Sequence, residues 1–158
     1  MDNSAMRTFG FLLKDVSRLS SKNFERHMAA AALGLTLEQC KVLIYLQRNQ
    51  GINQKRLAYL SDTDQMTLVR TLDRMEQDGW IERRPDPQDR RARRLHLKPA
   101  AAPVLKQIWI IADRSRAEIL AGLDEADREH LLALMGRIHD NLAALVPGAV
   151  DQIGRAHV

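Results

Sequence analysis

Between Ser61 and Lys98 the chain, SDTDQMTLVRTLDRMEQDGWIERRPDPQDRRARRLHLK, changes from a helical to a strand period within a few residues. Leu68, Leu72 and Met75 recur at i, i+4 and i+7, which predicts an amphipathic helix over about 64–78, closed by a left-handed Gly79. Leu68, Val69, Leu72 and Met75 are read as packing residues. The opposite face carries Thr67, Arg70, Thr71 and Arg74, so short hydroxyls and guanidiniums share a stripe. Guanidinium forks suit guanine edges and phosphates. After Gly79, Trp80-Ile81-Glu82-Arg83-Arg84 partly alternates, Pro85-Asp86-Pro87 breaks the run, and Arg94-Leu95-His96-Leu97-Lys98 alternates polar with apolar. These are two strands of a β-hairpin. Its tip, Gln88-Asp89-Arg90-Arg91-Ala92-Arg93, is too long and too charged for a two-residue turn and should project into solvent.

The 158 residues carry a net charge of +4. Seven basic and three acidic residues lie between Glu82 and Lys98, and the remainder has seventeen of each, so the whole excess sits in the hairpin. A lone charge run is usually a solvated face. Beside a helix with an Arg and Thr stripe it is the footprint of a phosphate-binding element, and helix plus basic hairpin is the winged-helix pattern, with double-stranded DNA as partner. A single Cys makes no internal disulfide, consistent with a reducing cytoplasm. No apolar run approaches the roughly 20 residues of a membrane span, and the N-terminus lacks a signal-peptide core. The expectation is a cytoplasmic protein with no membrane partner.

The remaining segments read as helices, giving a mainly α fold with a small β-hairpin wing. Phe9, Leu12, Leu13, Val16, Leu19 and Phe24 mark a long helix from about 5 to 32. Thr36 caps a second helix, closed by Asn49-Gln50-Gly51. Asn53 caps a short third helix from Gln54 to about Leu60, and a polar turn leads into the 64–78 helix, making a helix-turn-helix. Beyond the hairpin, a helix opens at Lys98-Pro99, with Pro103 tolerated in its first turn, and Gly122 ends it. Asp124 caps a last helix, which Pro147-Gly148 terminates. The first and last helices carry more apolar surface than a small winged helix needs. One domain is therefore expected, with a winged helix-turn-helix over about 35–98 and a helical dimerisation layer over about 5–33 and 100–146. Residues 153–158 resemble a translated sequencing-adaptor tail and are set aside.

The run Met66 to Ile81, followed by Asp89-Arg90-Arg91-Ala92-Arg93-Arg94, resembles the MarR family of winged helix-turn-helix regulators, and its SlyA-like branch most of all. Leu35-Thr36-Leu37-Glu38-Gln39 extends the likeness upstream, so that it covers roughly residues 5 to 146. The resemblance implies a homodimeric, ligand-responsive repressor on a pseudo-palindromic operator, with the 64–78 helix in the major groove and the 84–95 wing on the minor groove or backbone. On this reading Gln65, Thr67, Arg70, Thr71, Arg74, Arg84, Arg90, Arg91 and Arg93 contact DNA. Arg70 matches an Arg of the SlyA-like recognition helix. Arg74 either joins it or pairs with Asp73, Glu76 or Asp78. The family's Asp-x-Arg signature assigns Asp89 and Arg91 to an ion pair that shapes the wing. Leu97 is followed by Lys98-Pro99-Ala100 where the family commonly continues with Leu-Thr and a Gly.

Regulators of this kind often release DNA when a small aromatic acid or phenol binds between the dimer layer and the DNA-binding lobe. Arg18, Cys40 and Tyr45 are the candidate lining, against a background of ordinary packing. Redox sensing by Cys40 requires an exposed, acidic thiol, whereas most lone cysteines on an apolar helix are core. His27, His96, His130 and His139 show no metal-ligand spacing, and neither a phosphate loop nor a nucleophile elbow appears, so no enzyme, catalytic residue, metal or cofactor is expected. A second reading is a helical protein–protein interaction module whose basic hairpin binds an acidic partner, in which Arg70 would be dispensable.

Overall fold

The computed structural model describes residues 8–146. They fall into two compact units divided between Ile119 and Leu120. The first contains α1 (Phe9–Ala30), α2 (Leu37–Arg48), β1 (Ile52–Asn53), α3 (Gln54–Ser61), α4 (Gln65–Gln77), β2 (Ile81–Pro85), β3 (Arg93–Leu97) and α5 (Ala101–Ile119); the second contains α6 (Glu125–Leu145). The fold is mainly helical with one small antiparallel sheet, as expected.

Helix starts follow local chemistry. Thr36 and Gln39 form a capping box at α2, the Thr36 hydroxyl accepting the Gln39 N–H at 3.2 Å while Gln39 Oε1 accepts the Thr36 N–H at 2.9 Å. Asn53 accepts the Arg56 N–H at 2.8 Å, Asp64 the Thr67 N–H at 2.9 Å and Asp124 the Asp127 N–H at 2.8 Å. At the far end of α4, Gly79 has φ +77°, the left-handed value expected of it, and the Trp80 N–H reaches back to the Met75 carbonyl at 3.0 Å. This turn starts β2 directly against the helix that precedes it.

The expected hairpin is β2 and β3, in register from Ile81 opposite Leu97 to Pro85 opposite Arg93. A third strand joins it: β1 pairs with β3 at Ile52 opposite Leu95, making β3 central. Two residues are too few for a period of two to show in sequence, so only the cap at Asn53 was legible there. Gly51 has φ +80°, so a larger residue there would be strained, although a Cβ would meet the His96 ring only at an ordinary contact distance of 3.4 Å.

One core joins α2, α3, α4, the sheet and α5 of the first unit. Leu43, Leu46, Leu57, Leu68, Leu72, Met75, Ile81, Leu95 and Ile108 are all but withdrawn from water. Each such side chain contributes about 1.5–3 kcal/mol of transfer free energy, so the core fixes α4 and the wing on one frame. Val69 departs from the expectation: it is exposed, because it lies about 100° round the helix from Leu68 and misses the buried face.

The long helices are different. Among the described residues of α1 only Met28 is buried, and Phe9, Leu12, Leu13, Val16 and Leu19 lie exposed along one face. α6 buries none of its 21 residues, although Leu131, Leu134, Met135, Ile138, Leu142 and Leu145 line one stripe. The Pro147-Gly148 stop and the 153–158 tail lie outside the described residues. Among those residues no helix is long and apolar enough to cross a membrane.

Candidate nucleic-acid interface

Packing Leu68, Leu72 and Met75 inward turns Gln65, Met66, Thr67, Arg70 and Arg74 of α4 outward, all exposed. Arg70 makes no salt bridge among the described residues. Arg74 follows the pairing alternative, its Nε lying 3.2 Å from Asp78 Oδ2 one turn on. Thr71 is half-buried and its hydroxyl donates to the Thr67 carbonyl at 3.0 Å, so its hydrogen-bonding capacity is partly used within the helix. Asp64 anchors the helix start. The Thr67 hydroxyl and backbone N–H stabilise its carboxylate and hold its pKa below the usual value.

Six arginines that look alike in sequence separate into two groups. Arg83, Arg84 and Arg94 are engaged. Arg83 bridges from β2 to Asp73 and Glu76 on α4, Arg84 pairs with Glu82, and Arg94 Nε lies 2.8 Å from Asp86 Oδ2 across the hairpin mouth. The Arg94 hydrogen bond, helped by the Gln88 N–H, holds the Asp86 carboxyl below its usual pKa. Arg90, Arg91 and Arg93 make no salt bridge among the described residues, and all three are exposed. Arg93 reaches only carbonyls of the tip, Arg90 and Ala92, at 3.5 Å.

The Asp89–Arg91 ion pair expected from the Asp-x-Arg signature is absent. Asp89 Oδ1 instead accepts the Arg91 backbone N–H at 2.9 Å, and the Asp89 carbonyl accepts the Ala92 N–H at 3.0 Å. An Asx-type turn forms there, in which the Asp89 carboxylate is engaged by the Arg91 backbone and makes no ion pair with the Arg91 guanidinium. Arg94–Asp86 supplies the ion pair that bridges the hairpin mouth. The turn after Leu97 is well tied despite the departure from Leu-Thr: the Lys98 N–H donates to the Trp80 carbonyl at 2.8 Å.

A concavity of about 400 Å³ brings three elements together, with Asn53, Gln54 and Lys55 from the start of α3, Gln65 from the start of α4, and Arg91 and Arg93 from the wing. It unites three of the expected contact residues and adds Asn53, Gln54 and Lys55, which sequence reasoning passed over. A lysine two residues after a helix cap, in the first helix of a helix-turn-helix, was the available signal.

The expected ligand residues are not gathered in one place. A second cavity, about 380 Å³, is walled by Ser20 and Phe24 of α1, Cys40 and Ile44 of α2, and Ser115 and Arg116 of α5. Arg18 lies outside it, held 2.5 Å from Asp15, and Tyr45 packs against the core instead. Burial pushes the Cys40 thiol up to about 12, and its Sγ rests 3.9 Å from Met28 Sδ. Among the described residues no cluster of His, Cys, Asp and Glu could hold a metal ion.

The sequence pattern of the MarR family matches residues 35–102, the segment from α2 to the start of α5. Among solved structures, the transcriptional regulator PA3341 is 32% identical, with a TM-score of 0.74 over 86% of this chain and 98% of its own. A MarR-family transcriptional regulator from Silicibacter pomeroyi is 26% identical, with a TM-score of 0.73 over 84% and 88%. A cysteine-to-serine variant of MarR from Escherichia coli, complexed with operator DNA, shares the fold at 23% identity, with a TM-score of 0.70 over 87% and 98%. The recognition-type helix, its basic wing and these matches lead to one conclusion: the chain belongs to the MarR family of transcriptional regulators.

Proposed function

We propose that this DNA-binding regulator is a sequence-specific homodimeric repressor of the SlyA-like branch, released from its operator by a small aromatic acid or phenol. The observation that carries the DNA reading is the sorting of charge. The wing roots are neutralised within the protein, whereas Arg90, Arg91 and Arg93 at the tip have no carboxylate partner among the described residues, and Arg91 and Arg93 share a concavity with the first residue of α4. Guanidiniums left unpaired are those able to take phosphate oxygens or enter a minor groove.

Gln65, Thr67 and Arg70 then read base edges in the major groove, Arg70 as the fork for guanine. Arg90, Arg91 and Arg93 hold the backbone or minor groove, assisted by Asn53, Gln54 and Lys55. Arg74 and Arg84, already paired, are secondary contacts, and Thr71 acts on DNA chiefly by setting the helix surface. The E. coli relative was solved on operator DNA, and this chain shares its fold.

Homodimerisation is supported by the apolar stripes of α1 and α6, whose large hydrophobic residues lie exposed and fit a protein–protein contact. A two-fold dimer sets recognition helices about 34 Å apart, on successive major grooves of a pseudo-palindrome. For the ligand, the cavity beside Cys40 offers apolar walls in Phe24 and Ile44 and polar anchors in Ser115 and Arg116.

The test is fluorescence anisotropy of the purified protein on the intergenic DNA upstream of its own gene and on a scrambled duplex, at two salt concentrations. Preference for the native duplex that survives the higher salt is the expected result. Equal binding to both, vanishing with salt, would reduce the wing to a polycation and overturn sequence-specific binding at that site.

A further inference from the structure

We infer that Met66 and Val69 are thymine readers, and that the operator half-site places thymine methyls beside the groups read by Arg70 and Gln65. The inference rests on the DNA-binding reading above and extends it to base identity. Met66 is 68% exposed and Val69 36% exposed, on a helix whose other apolar residues, Leu68, Leu72 and Met75, are fully buried. Scattered exposed apolar residues are ordinary. These two are not scattered. On a helix, residues four apart lie side by side, so Gln65 with Val69 and Met66 with Arg70 form two adjacent rows. Each row couples one side chain that exchanges hydrogen bonds with one that makes none.

A phosphate or a polar base edge offers nothing to a valine or a thioether. In the major groove the apolar group available to them is the C5-methyl of thymine. An Arg takes guanine O6 and N7, a Gln takes adenine N6 and N7, and the apolar neighbour in each row takes the methyl of an adjoining thymine. Val69 is stiff at χ1, whereas Met66 has three rotatable bonds, so Val69 demands its thymine at one position and Met66 tolerates displacement.

The experiment starts from a duplex enriched by the full-length protein out of a random 20-base-pair library. Each thymine is then replaced in turn by deoxyuracil, which removes the methyl and leaves base pairing intact. The wild-type protein is expected to lose about fourfold in affinity at one or two thymines per half-site, the worth of one buried methyl-sized group. Those positions should become indifferent to the methyl in Met66→Ala or Val69→Ala, whose exposed side chains are not part of the core. Deoxyuracil tolerated at every thymine, or a loss that persists unchanged in both variants, would overturn the thymine reading while leaving DNA binding intact. Failure to enrich any duplex would overturn sequence-specific binding and this inference with it.

Discussion

Arg83 on β2 holds Glu76 on α4 at two points: its Nη1 lies 2.5 Å from Glu76 Oε2, and its backbone N–H donates to Glu76 Oε1 at 3.1 Å. Its Nη2 meets Asp73 Oδ1 at 2.6 Å, and the guanidinium is only 19% exposed. Partial burial opposes its charge, yet the two carboxylates outweigh this and raise its pKa above the usual value. The wing and α4 are thus coupled by charge as well as by the core. Arg83→Met is expected to cost about 1–2 kcal/mol of stability, discounted because both carboxylates are near half exposed. Operator preference over scrambled DNA should fall as well, since helix and wing no longer move as one. Arg83→Lys, without the fork, should recover only part of either property. Thermal melts read with anisotropy check this, and an unchanged operator preference in Arg83→Met would refute the coupling.

The helix and the wing should fail differently. Arg70→Ala is expected to lose about 1–3 kcal/mol of discrimination between operator and random DNA. Arg90→Ala or Arg93→Ala should weaken binding to both and flatten the salt dependence by about one unit of slope per lost phosphate contact. Titrations at four or more salt concentrations separate the two behaviours. Equal losses on every sequence in all three variants would sink the division of labour.

Acid should undo the α4 cap. The Asp64 carboxyl has a lowered pKa in the folded protein, so its contribution is present above the ordinary aspartate range and is lost as pH falls through the folded value. Asp64→Ala should therefore melt below wild type at neutral pH, with the gap narrowing below about pH 4. Asp64→Asn, which caps without a charge, should follow a flatter pH course. A gap of constant size from neutral to acid would show that the ionised carboxylate is not what matters.

Cys40 should be inert. With the thiol raised to about 12 and the side chain buried, native protein at pH 8 is expected to resist a thiol-specific disulfide reagent and to react stoichiometrically once unfolded. Rapid reaction of the folded protein would restore redox sensing as a candidate role.

Dimer formation should depend on the α6 stripe. Leu131→Asp or Leu142→Asp places a charge in that stripe without touching a buried residue of α6, which has none among those described. Sedimentation velocity should show wild type as a dimer at micromolar concentration and the variants as monomers. A monomeric wild type would remove the basis for two recognition helices per operator.

Much of the scaffold was legible from residue order because it depends on neighbours only a few positions away. The caps at Thr36, Asn53 and Asp124, the left-handed Gly79 and the 3.6-residue period of Leu68, Leu72 and Met75 are all local. The MarR resemblance rested on the same local runs, and the family comparison agrees with it. The two-residue strand Ile52–Asn53 was not legible, because a ladder to Leu95 and Arg94, more than forty positions away, is what makes it a strand.

The candidate site divides along the same line. Sequence placed the excess charge in the 82–98 hairpin and named Arg84, Arg90, Arg91 and Arg93 as contacts, but nothing in residue order said which guanidiniums the protein itself would engage. Which remain available was decided by which carboxylates the fold brings within reach: α4 delivers Asp73 and Glu76 to Arg83, and the hairpin mouth delivers Asp86 to Arg94. Asp89 accepts the Arg91 backbone N–H and leaves the Arg91 guanidinium without an ion pair among the described residues. Helical period and capping are settled within a turn of chain, but a charge is neutralised only by a partner that arrives in space, and that arrival is a property of the tertiary packing.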